Sequence, residues 1–226
     1  MLRPQNARTG YLVIYAETDI MSPKEAIMKI NREQAWDLLT EYTTSPNLIK
    51  HALSVEAAMR AYARRFGADE TRWGVVGLIH DFDYERYPTM NGDVPREEWH
   101  TYAGARILRE RGWPEDVIGD VLSHASYVEG APRDTPLRKA LYAVDELTGL
   151  ITAVALVRPS KSIMDVKLGS VKKKWKDKSF AAGANRQDIE QGAAALGIEL
   201  SEHIAVVLKA MQGIAAELEL DGRLAR

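Results

Sequence analysis

Four of the five histidines stand in order with two aspartates: His51, the adjacent pair His80-Asp81, His100, His124 and Asp145. Imidazole nitrogen and carboxylate oxygen together are the donor set for divalent cations of intermediate softness. The cofactor expected from this set is one or two divalent ions, drawn from Mn, Fe, Co, Ni, Zn or Mg. A cation held this way lowers the pKa of bound water from ~15.7 toward ~7, and a pair ~3.5–4 Å apart can clamp a phosphoryl oxygen. The chemistry open to such a site is hydrolysis by metal-activated water.

Each residue alone has an ordinary explanation. His51 sits one turn into an amphipathic segment with Val55 and Ala58 on its apolar side, where a single hydrogen-bonded core histidine is common. His80-Asp81 follows the apolar run Val75–Ile79 and reads as a helix C-terminus with the aspartate in solvent. Asp145 follows the apolar stretch Ala140–Val144, and a carboxylate in so core-like a helix needs a partner. His100 and His124 are as easily surface or capping residues as ligands. The six together are what those separate explanations fail to cover.

The elements that must position them are helical. Asn31 is placed to cap a helix with Gln34 three residues on, and Ser45-Pro46 opens a second that keeps apolar residues at Leu48, Ala52, Val55, Ala58/Met59 and Tyr62 and stops at Gly67. Asp69 opens a third, carrying Trp73, Val76, Gly77 and His80. Asp83–Asp93, with Pro88, Asn91 and Gly92, reads as an irregular loop. One helix is predicted from about Pro95 to Arg111, ending at Gly112, and another from Trp113-Pro114 to His124. Thr135-Pro136 starts a long helix through Leu147; further helices are predicted near Arg186–Leu196 and after Ser201.

The ordered series and its surroundings, Asn47-Leu48-Ile49-Lys50-His51 and Leu78-Ile79-His80-Asp81-Phe82-Asp83-Tyr84, resemble the HD superfamily of metal-dependent phosphohydrolases. The likeness runs over roughly Ser45–Thr148 and is to uncharacterised bacterial and archaeal members. The helical punctuation and the lack of any strand-rich region already predict an all-α fold with a small C-terminal helical subdomain; the resemblance makes it an HD-domain helical bundle and implies hydrolysis of a small phosphate mono- or diester, with a nucleotide inside that class. It implies one metal on His51, His80, Asp81 and Asp145, a second where His100 and His124 stand, and Asp81 bridging the two. One departure stands out. Some members with a single metal carry a glutamate three residues after the pair's aspartate, and here that position is Tyr84. Asp83 and Glu85 flank it, so Asp81 and Asp83 are taken as the catalytic carboxylates, with Tyr84 a substrate contact.

Composition narrows the rest. The chain has 226 residues, no cysteine and a net charge of −2. Disulfides and thiolate zinc sites are excluded, and a cytoplasmic home is the simplest expectation. The longest apolar stretches, Leu147–Val157 and Ala193–Leu200, fall short of the ~18 residues of a membrane span. Residues 1–20 differ in character and are expected to be peripheral; residues 21–157 are taken as the metal-binding helical domain and 158–226 as a helical extension packed on the same core. Arg158–Lys178 holds eight basic and two acidic residues, which could draw in an anionic substrate. Arg158 and Lys161, just past the helix of Asp145, are the candidate phosphate contacts, whereas Lys172–Lys178 reads as a solvated helix. The partner expected is a small anionic phosphate compound, without a specific nucleic-acid interface and with an oligomer possible. Two other functions share the donor set: a di-iron oxygenase of the same superfamily cleaving a C–C or C–P bond, and a regulatory module whose metals are structural.

Overall fold

A computed structural model describes residues 31–92 and 94–225; the segment 1–20 lies outside the described residues. Among those described the architecture is all-α, with no β-strand. The helices are α1 (Arg32–Tyr42), α2 (Pro46–Phe66), α3 (Glu70–Ile79), α4 (Tyr102–Glu110), α5 (Glu115–Leu122), α6 (Pro136–Leu156), α7 (Leu168–Trp175), α8 (Arg186–Ala195) and α9 (Leu200–Gln212).

α2 and α6 form the spine. α2 lies against α3, α6 and α9, and α8 runs along α6. The apolar spacing read in α2 is the stripe that is buried: Ala52, Val55, Ala58, Met59 and Tyr62. α3 is buried on every side from Trp73 to Ile79, as an apolar helix must be at the centre of a helical stack. Its all-round burial delivers His80, at the helix end, to the interior. α6 is buried along Leu137, Leu141, Val144, Leu147 and Ile151. No helix among the described residues is long and apolar enough to cross a membrane.

Local capping follows the sequence in part. Asn31 accepts from the Gln34 amide at 2.9 Å, and Gly67 ends α2 in the left-handed region at φ 63°. Ser45 makes no side-chain cap. Glu85 serves instead, its carboxylate accepting from the Thr44 and Ser45 amides and the Thr44 hydroxyl. That contact also ties the start of α2 to the turn after His80-Asp81.

The single helix expected over Pro95–Arg111 is two pieces. A short 3-10 turn, Arg96–Glu98, gives way at Trp99–Thr101 before α4 begins. The cause is a contest for backbone amides. The His100 amide donates to the Thr89 carbonyl, and the Thr101 and Gly104 amides donate to Asp83, 2.8–2.9 Å away. Those donors belong to Asp83 and Thr89 rather than to a preceding helical turn. Likewise α5 stops at Leu122, leaving His124 in the turn beyond it.

Candidate metal centre

The six residues of the series meet in one place. His51 comes from the second turn of α2, His80 caps α3, Asp81 begins the turn after it, and Asp145 stands mid-way along α6. His51 Nε2 lies 3.2 Å from His80 Nε2, 3.1 Å from Asp145 Oδ1 and 3.6 Å from Asp81 Oδ2. His80 Nε2 is 3.4 Å from Asp81 Oδ2 and 3.5 Å from Asp145 Oδ1. On the other side of Asp81, Oδ1 is 3.1 Å from His100 Nε2 and 3.2 Å from His124 Nε2, which are 3.3 Å from each other. The atoms form two groups able to hold a metal, sharing Asp81 through opposite oxygens.

The protonation of the rings carries the argument for a cation. His80 Nδ1 faces the Gly77 carbonyl at 2.8 Å, and His124 Nδ1 faces the Val121 carbonyl at 2.6 Å. A carbonyl only accepts, so each Nδ1 bears the hydrogen. His100 Nδ1 faces Asp83 Oδ1 at 3.0 Å. His51 Nδ1 faces the Thr148 hydroxyl, which itself donates to the Asp145 carbonyl and so has a lone pair to offer. All four rings therefore donate outward from Nδ1, which turns the Nε2 lone pairs inward. Outer hydrogen bonds of this kind fix the tautomer of metal-binding histidines. Two nitrogens bound at ~2.0–2.1 Å to one cation, about 100° apart, sit about 3.1–3.2 Å from each other. The observed spacing within each group fits that requirement.

Electrostatics gives the same result. Burial alone would lower the pKa of His51 and His100, yet Asp145 and Asp81 for the first, and Asp81 and Asp83 for the second, lift each to about 9. His80 is raised well above its ordinary value, with Asp81 and Asp145 outweighing burial. Burial works against the charge on Asp81 and Asp145 too, and the surrounding histidines hold both below the usual carboxylate range. The cluster demands positive charge between its atoms. Protons meet that demand poorly, because two protonated rings cannot point hydrogens at each other across 3.2 Å.

Asp83 sits behind this arrangement. It is 1 % exposed, and its oxygens take His100 Nδ1 and the amides of Thr101 and Gly104. Gly104 permits the approach, since a Cβ there would lie 2.9 Å from the Asp83 carboxylate. Thr101 has φ 67° and ψ −44°, and the Tyr102 amide donates to the His100 carbonyl across it. This is a strained γ-turn on a β-branched residue. Tyr127 fastens it by donating to the His100 carbonyl and accepting from the Thr101 hydroxyl, both at 3.0 Å. Backbone strain kept in place by such contacts is typical of functional sites.

The centre forms the floor of a cavity of about 490 Å³ whose lining includes Tyr84, Tyr127, Tyr142, Glu146, Gly149 and Asp188. Tyr84 stands edge-on to His100 with ring centroids 5.1 Å apart. Glu146 is pushed up to about 7, chiefly by burial and then by the neighbouring Asp145. Arg158 and Lys161 lie beyond the end of α6, outside this lining. The Lys161 ammonium donates to the Leu156 carbonyl, and Arg158 Nη1 lies 3.5 Å from the Ser170 hydroxyl. Glu85 is engaged in capping α2. Several lining residues carried no signal in the sequence. Tyr127 follows His124 by three positions and Glu146 adjoins Asp145, so both were within reach. Gly183 and Asp188 come from the α7–α8 region, and no pattern ties them to the histidine series.

Comparison with known proteins points the same way. The chain is 29% identical over 131 residues to the symmetrical bis(5'-nucleosyl)-tetraphosphatase of Bacillus subtilis (strain 168), covering 51% of this chain and 68% of that protein. It is 29% identical over 105 residues to Ribonuclease Y of Oleidesulfovibrio alaskensis, covering 46% of this chain and 18% of that protein. No protein-family model and no solved structure matches the chain. It is thus a distant relative of two hydrolases, one of them a nucleotide phosphohydrolase.

Proposed function

We propose that this protein is a metal-dependent phosphohydrolase of the HD superfamily, acting on a small phosphate ester. The observation that carries the reading is the convergence of four Nε2 lone pairs and two carboxylates, in two groups sharing Asp81, at the floor of an open cavity. Divalent cations bound there would supply an activated water and neutralise charge on the phosphoryl group.

The protein's own contribution is positioning. Asp81 and Asp145 furnish the negative charge of the cluster, and the outward Nδ1 bonds keep the four rings from turning. Asp83, taken from the sequence as catalytic, has both oxygens engaged, so its role here is to position His100. Tyr84 borders the phosphoryl group beside His100, with Tyr127 on the same wall. In the reaction the water oxygen bonds to phosphorus and the bond from phosphorus to the ester oxygen breaks. The alcohol leaves with one proton, and the phosphoryl group keeps the water oxygen, as inorganic phosphate from a monoester or as a monoester from a diester. The similarity to a tetraphosphatase and a ribonuclease supports phosphate chemistry and leaves the alcohol open.

A second reading keeps one observation in its favour. No lysine or arginine lines the cavity among the described residues, and the same donor set suits iron, as a di-iron oxygenase requires. The test is metal quantification on the isolated protein, followed by phosphate release from simple esters with Mn, Co, Ni and Fe. Phosphate release that disappears in Asp81→Ala supports the hydrolase. Two irons with oxygen uptake and no phosphate release would replace it with the oxygenase. Bound metal without any turnover would leave a regulatory module.

A further inference from the structure

The metal cavity has a neighbour. A second cavity of about 280 Å³ is lined by Thr152, Leu156, Leu218, Leu220 and Leu224, with Asn47, Lys50 and Ser54 at its α2 side. His51 and Gly149 stand in the walls of both cavities. They adjoin at His51 of α2 and Gly149 of α6. On α6 the face that borders them runs Tyr142, Asp145, Glu146, Gly149, Thr152 and Leu156.

Gly149 marks the junction. A glycine inside a helix costs about 1 kcal/mol relative to alanine, so its place calls for a reason. Neither helix geometry nor packing gives one, because a Cβ at Gly149 would meet no atom within 4 Å. What the missing side chain leaves is clearance between the two cavities. Beyond it the wall is leucine, and Leu156 and Leu224 are large apolar side chains left exposed. The segment that bears Leu218, Leu220 and Leu224 is anchored by the Lys50–Glu219 ion pair and by the Ile163 amide donating to the Leu220 carbonyl. Lys50 is the one lysine or arginine on either lining among the described residues, and Glu219 pairs with it.

We propose that the two cavities form a single elongated substrate site, which takes a phosphate monoester of an uncharged, linear apolar alcohol. The phosphoryl group lies at the metal centre, and the chain passes over Gly149 into the leucine-lined end. At ~1.5 Å per residue, Thr152 and Leu156 stand about 10 and about 16 Å along α6 from Asp145, an interval that a chain of about eight carbons reaches into. An anionic tail, such as a run of further phosphates, meets no free lysine or arginine along this path among the described residues. The proposal rests on the phosphohydrolase reading for the identity of the head group, while the recognition of the chain stands apart from turnover.

The test measures binding of n-alkylphosphonates, which are not hydrolysed, to the metal-loaded protein by calorimetry, alongside hydrolysis of the matching n-alkyl phosphates. A buried methylene strengthens binding about threefold to fourfold. The octyl compound should bind at least about 100-fold more tightly than the methyl one. In Gly149→Leu and in Thr152→Phe that ratio should fall toward one, whatever happens to the absolute affinity. Equal affinity across the series in the native protein, or an undiminished ratio in both variants, overturns the proposal. A steep chain-length dependence in binding with no hydrolysis of any ester upholds the elongated site and removes the hydrolase reading instead.

Discussion

His51 and Asp145 project from the interiors of two 21-residue helices, α2 and α6, whereas His100 and His124 stand on backbone that is not helical. The first group is held by core packing: the spine helices cannot move without disturbing Ala52, Val55, Val144 and Leu147. The second group is held by a few hydrogen bonds. Asp83 fixes the His100 ring and the two amides beside it, Tyr127 closes the strained turn at Thr101, and the Val121 carbonyl orients His124. Two ligand groups a few ångströms apart thus differ in what keeps them in place, and they should respond differently to perturbation.

Removing the atom they share should affect both. Asp81→Ala is expected to abolish retention of either cation and to lower phosphate release by about 1000-fold or more. Metal quantification checks it, and one ion bound with native affinity would show that Asp81 is not common to the two groups. Protons should compete with the cations next most strongly. With His51 and His100 at about 9 in the metal-free protein, uptake below that pH must release a proton from each. Affinity should then rise with pH between 6.5 and 9, by up to about tenfold per pH unit for each proton released. Uptake independent of pH between 6.5 and 9 would contradict this.

Asp83→Asn separates the halves. An amide cannot accept from three donors at once, so the second group should lose about 10- to 100-fold in affinity while the His51 group keeps its ion. Titration with a competing chelator resolves the two, and equal weakening of both would mean the groups are mechanically one. Gly104→Ala acts along the same line more gently, pushing on Asp83 from 2.9 Å. A loss of several-fold at the second group only is expected, and none would show that the turn adapts.

The fifth histidine makes the comparison sharper still. His203, on α9, is fully buried, with Nδ1 2.6 Å from the Tyr62 hydroxyl and Nε2 2.8 Å from the Ala143 carbonyl. Both nitrogens are satisfied by the protein and none is left for a cation. Burial holds its pKa down at about 4, only partly offset by the Ala143 carbonyl. It is therefore neutral when folded, and its share of stability is intact above pH 6.5 and lost as pH falls toward 4. His203→Ala should destabilise the fold by about 2–3 kcal/mol with metal content unchanged. Denaturant unfolding and metal analysis on one preparation decide it, since lost metal would place His203 with the other four.

The first group is also the more legible half. Its helices announce themselves by apolar spacing, and the residues that interrupt the pattern, His51 and Asp145, are the ones that matter. For the second group the sequence offered residue types and order alone. Asn, Asp, Gly and Pro mark Asp83–Asp93 as irregular, yet nothing nearby forecasts the break at Trp99–Thr101. Its cause, Asp83, is eighteen residues from Thr101. For the same reason Asp83 read as a catalytic carboxylate, since its oxygens are taken up by groups that local sequence does not bring near. Arg158 and Lys161 looked close to Asp145 along the chain, but a straight helix carries them past the cavity at 1.5 Å per residue.

The sequence by itself determined the helical class, the boundaries of α2, the start of α6 and the ordered set of imidazoles and carboxylates, because periodicity and side-chain chemistry are local properties. Tertiary structure decided which nitrogen of each histidine faces inward, that Asp81 offers one oxygen to each group, and that Gly149 borders both the metal cavity and the leucine-lined one beside it. Those are relations between atoms on different helices, fixed only when the helices pack.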